Sequence, residues 1–258
     1  MRIIILAGGL GTRISEETSD KPKPMVLLDD KPILWHLMNT FSVQGFNKFV
    51  IAVGYKGDAI KRWLLDLNQF SGDVEIDTLS KSVLHLSKTV DVDWKVAAIE
   101  TGLTTQTGGR IKRCLQAFPG ERVLVTYGDG LANVNVPQLL DFHKQQGRLA
   151  TVTSVRPPAR FGHIESNNGV VTNFGEKNQS DAGWINGGYF ILEPEVVKYI
   201  SDDSEPFETG ALPKLVALGQ LSSYEHKGFW QPMDTLREKQ ELVRLAGLKT
   251  PPWLKDIC

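Results

Sequence analysis

Two stretches near the start of the chain hold its densest concentration of chemically useful residues. Leu6-Ala7-Gly8-Gly9-Leu10-Gly11-Thr12-Arg13 is followed a few residues later by Lys21-Pro22-Lys23-Pro24-Met25. Glycines let a backbone approach a ligand closely, and the N–H groups they leave exposed can surround phosphate oxygens. The spacing is not that of a dinucleotide fingerprint, because the glycines fall at 8, 9 and 11, and not that of a P-loop, because no Lys-Ser/Thr pair follows the last of them. Arg13, Lys21 and Lys23 bring cations to the same loop, and prolines stiffen the chain around both lysines. A tight turn with solvated basic residues would account for glycines alone. Glycines and cations together point to a site for a phosphorylated nucleotide.

Carboxylates complete that chemistry. Asp129 stands between Gly128 and Gly130, just past the apolar run 122–126. Alone it reads as a turn residue satisfying local N–H groups; beside a phosphate loop it reads as a ligand for Mg²⁺. Asp234 lies in Gly228-Phe229-Trp230-Gln231-Pro232-Met233-Asp234-Thr235. Thr235 and Glu238 already fit a Thr-x-x-Glu capping box, which would put Asp234 one residue before the cap and leave its carboxylate free. Thr104-Thr105-Gln106-Thr107-Gly108-Gly109-Arg110 opens a helix, with Thr107 as a candidate N-cap; its hydroxyls and Arg110 suit a base or ribose, and ordinary capping competes with that reading. Glu176-Lys177 and Ile185-Asn186-Gly187-Gly188 offer polar groups for sugar hydroxyls and a phosphate, although a turn explains Asn-Gly-Gly equally well. The histidines at 36, 85, 143, 163 and 226 show no ligand spacing, and no Gly-x-Ser-x-Gly elbow is present. The aromatic pair Phe229-Trp230 reads as core packing.

The elements that must position these residues follow a regular rhythm. Residues 2–7 and 49–53 are short, nearly continuous apolar runs, each followed by glycine, as expected of strands buried on both faces. Helical patterns at 32–43 and 58–70 follow them, the second with Ile60, Trp63, Leu64 and Leu67 on one face. Alternation of strand and helix predicts a parallel, helix-covered sheet. Residues 74–101 read as edge strands or a hairpin. A helix on Ile111, Cys114, Leu115 and Phe118, a strand at 122–126, a helix through Val136, Leu139, Leu140 and His143, and a strand at 149–155 resume the pattern. From 156 to 190 the Gly, Asn and Pro content predicts antiparallel additions, and helices are expected at about 208–218 and 235–246.

Composition bounds the partners. The chain has 258 residues, enough for one large domain or two small ones, and the absence of a linker or repeat favours one, 1–258. Its 29 Lys+Arg against 30 Asp+Glu give a net charge of −1, without the basic excess of a nucleic-acid binder or the basic amphipathic stripe of a membrane-surface protein. Cys114 and Cys258 form no CxxC unit, and no apolar run is long enough for a membrane span, so a cytoplasmic protein is expected. The motifs segregate the charges that this near-zero balance hides, with Arg13, Lys21 and Lys23 at one strand end and Asp129 and Asp234 expected to converge opposite.

Taken in order, these segments resemble the sugar-1-phosphate nucleotidylyltransferases, and more closely the glucose-1-phosphate cytidylyltransferases. The wider resemblance is carried by residues 6–13 and 21–25, the narrower by Thr-Gly-Gly-Arg at 107–110, Thr-Tyr-Gly-Asp-Gly at 126–130, Ile-Asn-Gly-Gly at 185–188 and the segment 228–235. It implies a Rossmann-like three-layer α/β/α fold, with a mainly parallel central sheet and a small antiparallel addition, and transfer of CMP from CTP to glucose 1-phosphate. By position, the backbone from Leu6 to Gly11 would hold the nucleotide, Thr12 and Arg13 its phosphates, Lys23 the α-phosphate, and Thr105, Arg110 and Gly128 the nucleoside side. Asp129 and Asp234 would hold Mg²⁺, and Lys177, Asn186 and Gly187 would face the sugar phosphate; Arg13, Lys23 and Asp129 are the catalytic set. A homo-oligomer is implied, a hexamer among the forms allowed. Asn178 and the run Phe207-Glu208-Thr209-Gly210-Ala211-Leu212 depart from the pattern on the acceptor side, which leaves open another sugar 1-phosphate or another phosphomonoester; a related enzyme that uses another nucleotide is a separate alternative.

Overall fold

The computed structural model describes residues 1–69, 72–87, 92–157, 162–167, 170–176 and 183–257. Its centre is a seven-stranded sheet: β1 (Arg2–Leu6), β2 (Lys48–Val53), β3 (Lys95–Glu100), β4 (Val123–Tyr127), β5 (Ala150–Val155), β6 (Ile185–Leu192) and β7 (Leu221–His226), in the spatial order β7-β5-β6-β4-β1-β2-β3. β1 pairs in parallel with both β2 and β4, β2 with β3, and β5 with β7, while β6 runs antiparallel to its neighbours β4 and β5. The mainly parallel sheet expected from the sequence is therefore present, with one reversed strand.

Side-chain alternation along the strands explains the three layers. Ile3 and Ile5 face one core with Phe49, Ile51, Leu124 and Ile191, against the helices Ile33–Ser42 and Leu236–Ala246. Ile4 faces the other with Val50, Val123, Val125 and Phe190, against Thr107–Ala117 and Ala211–Ala217. Strands so buried on both faces read as continuous apolar runs. Outside this sheet, Val74–Asp77 and Ser82–His85 form an antiparallel hairpin, as do Gly162–Asn167 and Val170–Glu176. No helix among the described residues is long and apolar enough to cross a membrane.

Two local expectations fail. Thr107 does not cap its helix: Gln106 occupies the cap position, and the Thr107 hydroxyl accepts from Phe207 N (2.9 Å) and donates to Glu208 Oε2 (2.6 Å). The helix expected at about 208–218 spans only Ala211–Ala217, because Gly210 before it has a non-helical backbone (φ −104°, ψ −81°); Glu208 lies ahead of it, its carboxylate engaged by Thr107 and Tyr127.

The C-terminal segment closes one face. Trp253, in the turn Pro252–Leu254, is fully buried, edge-on to His36 and tilted against Phe229, and Asn133 Nδ2 donates to Lys255 O at 3.0 Å. Trp253→Ala should lower the unfolding free energy by about 3–5 kcal/mol in urea titration. A loss below about 1 kcal/mol would show that this plug does not support the core.

Candidate active site

The sheet order reverses at β1, since the chain runs outward through β2 and β3 and then returns to the other side of β1 for β4. Ligands of open α/β sheets bind at the carboxyl ends of the strands beside such a point. A cavity of about 1200 Å³ lies there. Its wall includes every predicted nucleotide-side residue: Leu6 to Arg13, Lys23, Thr105, Arg110 and Gly128. Asp129, Asp234, Asn186 and Gly187 line it too, the last two because reversed β6 begins at the edge where β1 and β4 end. Lys177 lies outside the described residues, and Lys21 is not part of the wall.

The glycine loop is built for close approach. Tyr55 N donates to Gly8 O and Gly128 N to Leu6 O, which fixes the loop's base. The N–H groups of Gly9, Leu10 and Gly11 carry no hydrogen bond to the described residues, and a side chain on Gly9 would meet nothing within 4 Å, so its face is open. Gly11 turns the chain at φ 67°, a conformation that favours glycine. Arg13 lies in the short helical turn Thr12–Ile14 that follows, its side chain 75% exposed and its guanidinium resting on Asp234.

Arg110 has the opposite character. Its guanidinium is buried and donates to Thr101 Oγ1, Gly102 O and Leu103 O, with no carboxylate bonded to it among the described residues. Burial, and next the charge of Arg113, push its pKa below the ordinary arginine value. A Cβ on Gly8 would come within 2.0 Å of Arg110 Nη1, and one on Gly54 within 2.5 Å, so both positions must lack a side chain for the cation to reach the cavity. Gly108 and Gly109 serve packing: a Cβ on them would strike Glu205 O and Asp203 Cα.

The carboxylates meet through a short ladder. Gly130–Ala132 pairs antiparallel with Trp230–Pro232, and Met233 N donates to Asp129 O at 2.8 Å. Thr235 and Glu238 form the expected capping box, and the Asp234 carboxylate is free of it. Lys23 Nζ lies 2.7 Å from Asp129 Oδ2 and 2.8 Å from Asp234 Oδ1, and Arg13 Nη1 is 2.9 Å from Asp234 Oδ2. The expectation that cations and aspartates stand on opposite sides is thus corrected. With no polyanion between them, opposite charges collapse onto one another. Burial disfavours the Lys23 ammonium, but Asp129 and Asp234 override it and hold its pKa above the usual lysine value. Burial likewise opposes the Asp234 carboxylate, and Lys23 and Arg13 hold it below the usual aspartate range. Carboxylate oxygens are the donor type that hard divalent ions take, so Asp129 and Asp234 are the residues here that could hold one.

Several cavity residues carry no site role in the sequence reading, Tyr127 and Trp230 among them. Tyr127 lines the wall next to Gly188, and Trp230, read as core, lines it too and donates from Nε1 to Gly187 O at 2.8 Å. An aromatic residue at the last position of a strand beside the Gly-Asp-Gly turn was the available signal for Tyr127.

Comparison with known proteins matches residues 2–236 to the family described as nucleotidyl transferase. The chain is 44% identical over 254 residues to the glucose-1-phosphate cytidylyltransferase of Salmonella typhimurium, covering 98% of each chain. It is 39% identical to the probable glucose-1-phosphate cytidylyltransferase of Bacillus subtilis, over 98% of this chain and 99% of that one. Among solved structures, HddC from Yersinia pseudotuberculosis shares the fold with a TM-score of 0.69, at 24% identity over 94% of this chain and 98% of that one.

The charge cluster sets a pH signature. Asp234, with its pKa depressed in the folded state, contributes stability that is present at neutral pH and lost as the pH falls below about 4. The stability difference between wild type and Lys23→Met should therefore shrink through that acid range. A difference constant from about pH 7 to about pH 3 would contradict the cluster.

Proposed function

Because the chain belongs to the nucleotidyl transferase family, we propose that it transfers CMP from CTP to glucose 1-phosphate, releasing pyrophosphate and forming CDP-glucose, as one domain spanning residues 1–258. The observation that carries this reading is the meeting of Lys23, Asp129 and Asp234 beside a glycine loop with open N–H groups, in one cavity with Asn186 and Gly187. The likeness to the Salmonella and Bacillus cytidylyltransferases supports the choice of substrates.

The reaction joins two polyanions. A phosphate oxygen of the sugar phosphate attacks the α-phosphorus of CTP, the new O–P bond forms, the bond to the β-phosphate oxygen breaks, and pyrophosphate departs with the electron pair. A phosphate monoester has its second pKa near ~6, so the attacking oxygen is already ionised near neutrality and no general base is needed. The requirements are relief of repulsion, in-line alignment and charge stabilisation on the leaving group. The open N–H groups of residues 9–11 bind phosphate oxygens. Arg13, exposed on its turn, folds over them, and Lys23, already at the cavity floor, meets the α-phosphate. Arg110 supplies a fixed positive charge on the nucleoside side with Thr105, while Asn186 and Gly187, with Lys177, receive the sugar phosphate. Asp129 and Asp234 would hold Mg²⁺, which when bound neutralises charge on the phosphates.

The reading extends to assembly. Ile76 and Val83, cross-strand partners on one face of the hairpin, are exposed, as is Leu79 in the turn between the strands at 94%, and these apolar side chains suit burial against a second copy in a homo-oligomer.

Pyrophosphate release measured with each of the four nucleoside triphosphates against a panel of sugar 1-phosphates should be fastest with CTP and glucose 1-phosphate. A preference for another pair would replace these substrates while keeping the reaction class. Lys23→Ala and Asp129→Asn should each lower kcat by about 10²-fold or more with the fold intact by circular dichroism; near-normal kcat in either would defeat the assignment.

A further inference from the structure

Glu208 is a charged residue that the reaction as described leaves unused. It is not among the residues lining the cavity, yet its carboxylate receives two hydroxyl donors from residues that are. Thr107 donates to Oε2 at 2.6 Å, and Tyr127 donates to Oε1. The direction of each bond is fixed by chemistry. A carboxylate only accepts, so Tyr127 spends its proton on Glu208 and its phenolic oxygen can only accept from anything else. Asn186 Nδ2 is that partner, at 3.2 Å. With its NH₂ turned to Tyr127, Asn186 presents Oδ1 to the backbone, where it accepts from Gly188 N at 2.8 Å. One N–H and one lone pair of the amide remain for a ligand.

Packing holds the relay in place. Gly188 adopts φ 81°, and a Cβ there would come within 2.5 Å of Tyr127 Cδ2, so the Asn-Gly-Gly turn sits flush against the phenol ring. The Tyr127 ring lies edge-on to Phe190, and Phe190 edge-on to the fully buried Phe207, which anchors the backbone next to Glu208.

We propose that Glu208 is a positioning residue for the sugar-phosphate acceptor, acting through Tyr127 to fix which way the Asn186 amide faces. This rests on the reading that Asn186 meets the acceptor. Without the carboxylate, the Tyr127 proton is free to turn toward Asn186 Nδ2, which then faces a donor instead of an acceptor, and the amide is held only by Gly188 N. The nucleotide side, carried by residues 8–13 and Arg110, has no bond to Glu208.

The test is steady-state pyrophosphate release by wild type, Tyr127→Phe, Glu208→Gln and the double variant. Each substrate is varied in turn, and melting curves establish that the variants fold. Each single variant should raise KM for glucose 1-phosphate about tenfold, the scale of one lost hydrogen bond, while KM for CTP stays within about twofold. The double variant should be no worse than the poorer single one, because both break the same relay. Equal rises in both KM values, unchanged KM values, or additive effects would overturn the proposal. If Glu208→Gln does not fold, Tyr127→Phe keeps the Thr107 bond to Glu208 and decides by the same split. Should wild type prefer another acceptor, the substrate reading fails by itself, and the split is measured with the pair that reacts. If no pair reacts, calorimetric titration of wild type and Tyr127→Phe with glucose 1-phosphate decides: about tenfold weaker binding to the variant supports the relay, and equal binding or none to either protein overturns it.

Discussion

The rest of the site depends on a single ammonium group held between two carboxylates. Asp129 and Asp234 are brought together by the two-stranded ladder behind them, and two negative charges in a half-buried cavity would repel each other across it. Lys23 removes that penalty. It can do so because Pro22 and Pro24 hold its backbone in a tight turn at the cavity floor, with the side chain 9% exposed. Sheltering such a group costs desolvation that offsets much of the attraction, yet losing Lys23 is costly, because it leaves Asp129 and Asp234 facing each other without the cation between them. The same arrangement keeps the acidic pair preorganised for a cation and keeps a lysine where a phosphate would arrive.

Around this centre the fold supplies rigidity from both sides of the sheet. β1 and β4 are flanked on both faces by fully packed cores, so their carboxyl ends are fixed points from which the glycine loop and Asp129 project. The ladder between Gly130–Ala132 and Trp230–Pro232 extends that rigidity beyond the sheet, and Trp253 buttresses it from below through Phe229. A site that aligns two anions gains from such stiffness, because a misplacement of about 1 Å can cost about 10²-fold in rate.

Much of this was legible in the sequence. Strands buried on both faces announce themselves as apolar runs, and the glycine loop, Asp129 and the capping box that frees Asp234 were readable from local spacing. What stayed hidden is long-range pairing. Tyr127 and Glu208 are 81 residues apart, and neither local pattern nor composition brings them together. Thr107 reads as a helix cap because threonine caps helices, but its oxygen accepts from Phe207 N rather than from the helix's own N–H groups, and its proton goes to a carboxylate 101 residues away. The charges were misread for a related reason: net balance says nothing about contact, and the direct bond from Lys23 to both aspartates appears only once the ladder has folded. Trp230 reads as core because aromatic pairs usually pack there, and it does pack against the core as Phe229 does; that it also reaches the cavity wall, with Nε1 on Gly187 O, is a long-range contact that no local pattern shows.

The wedge formed by Gly8, Gly54 and Arg110 has a further meaning for how this sequence can vary. A buried guanidinium and two absent side chains occupy one volume, so the three positions form a single unit of inheritance. A side chain at either glycine is compatible only with a shorter residue at 110, and a shorter residue at 110 opens a void that one added methyl partly fills. Substitutions there should therefore arise in concert along a lineage, and libraries that randomise one of these sites alone should return the parent residue.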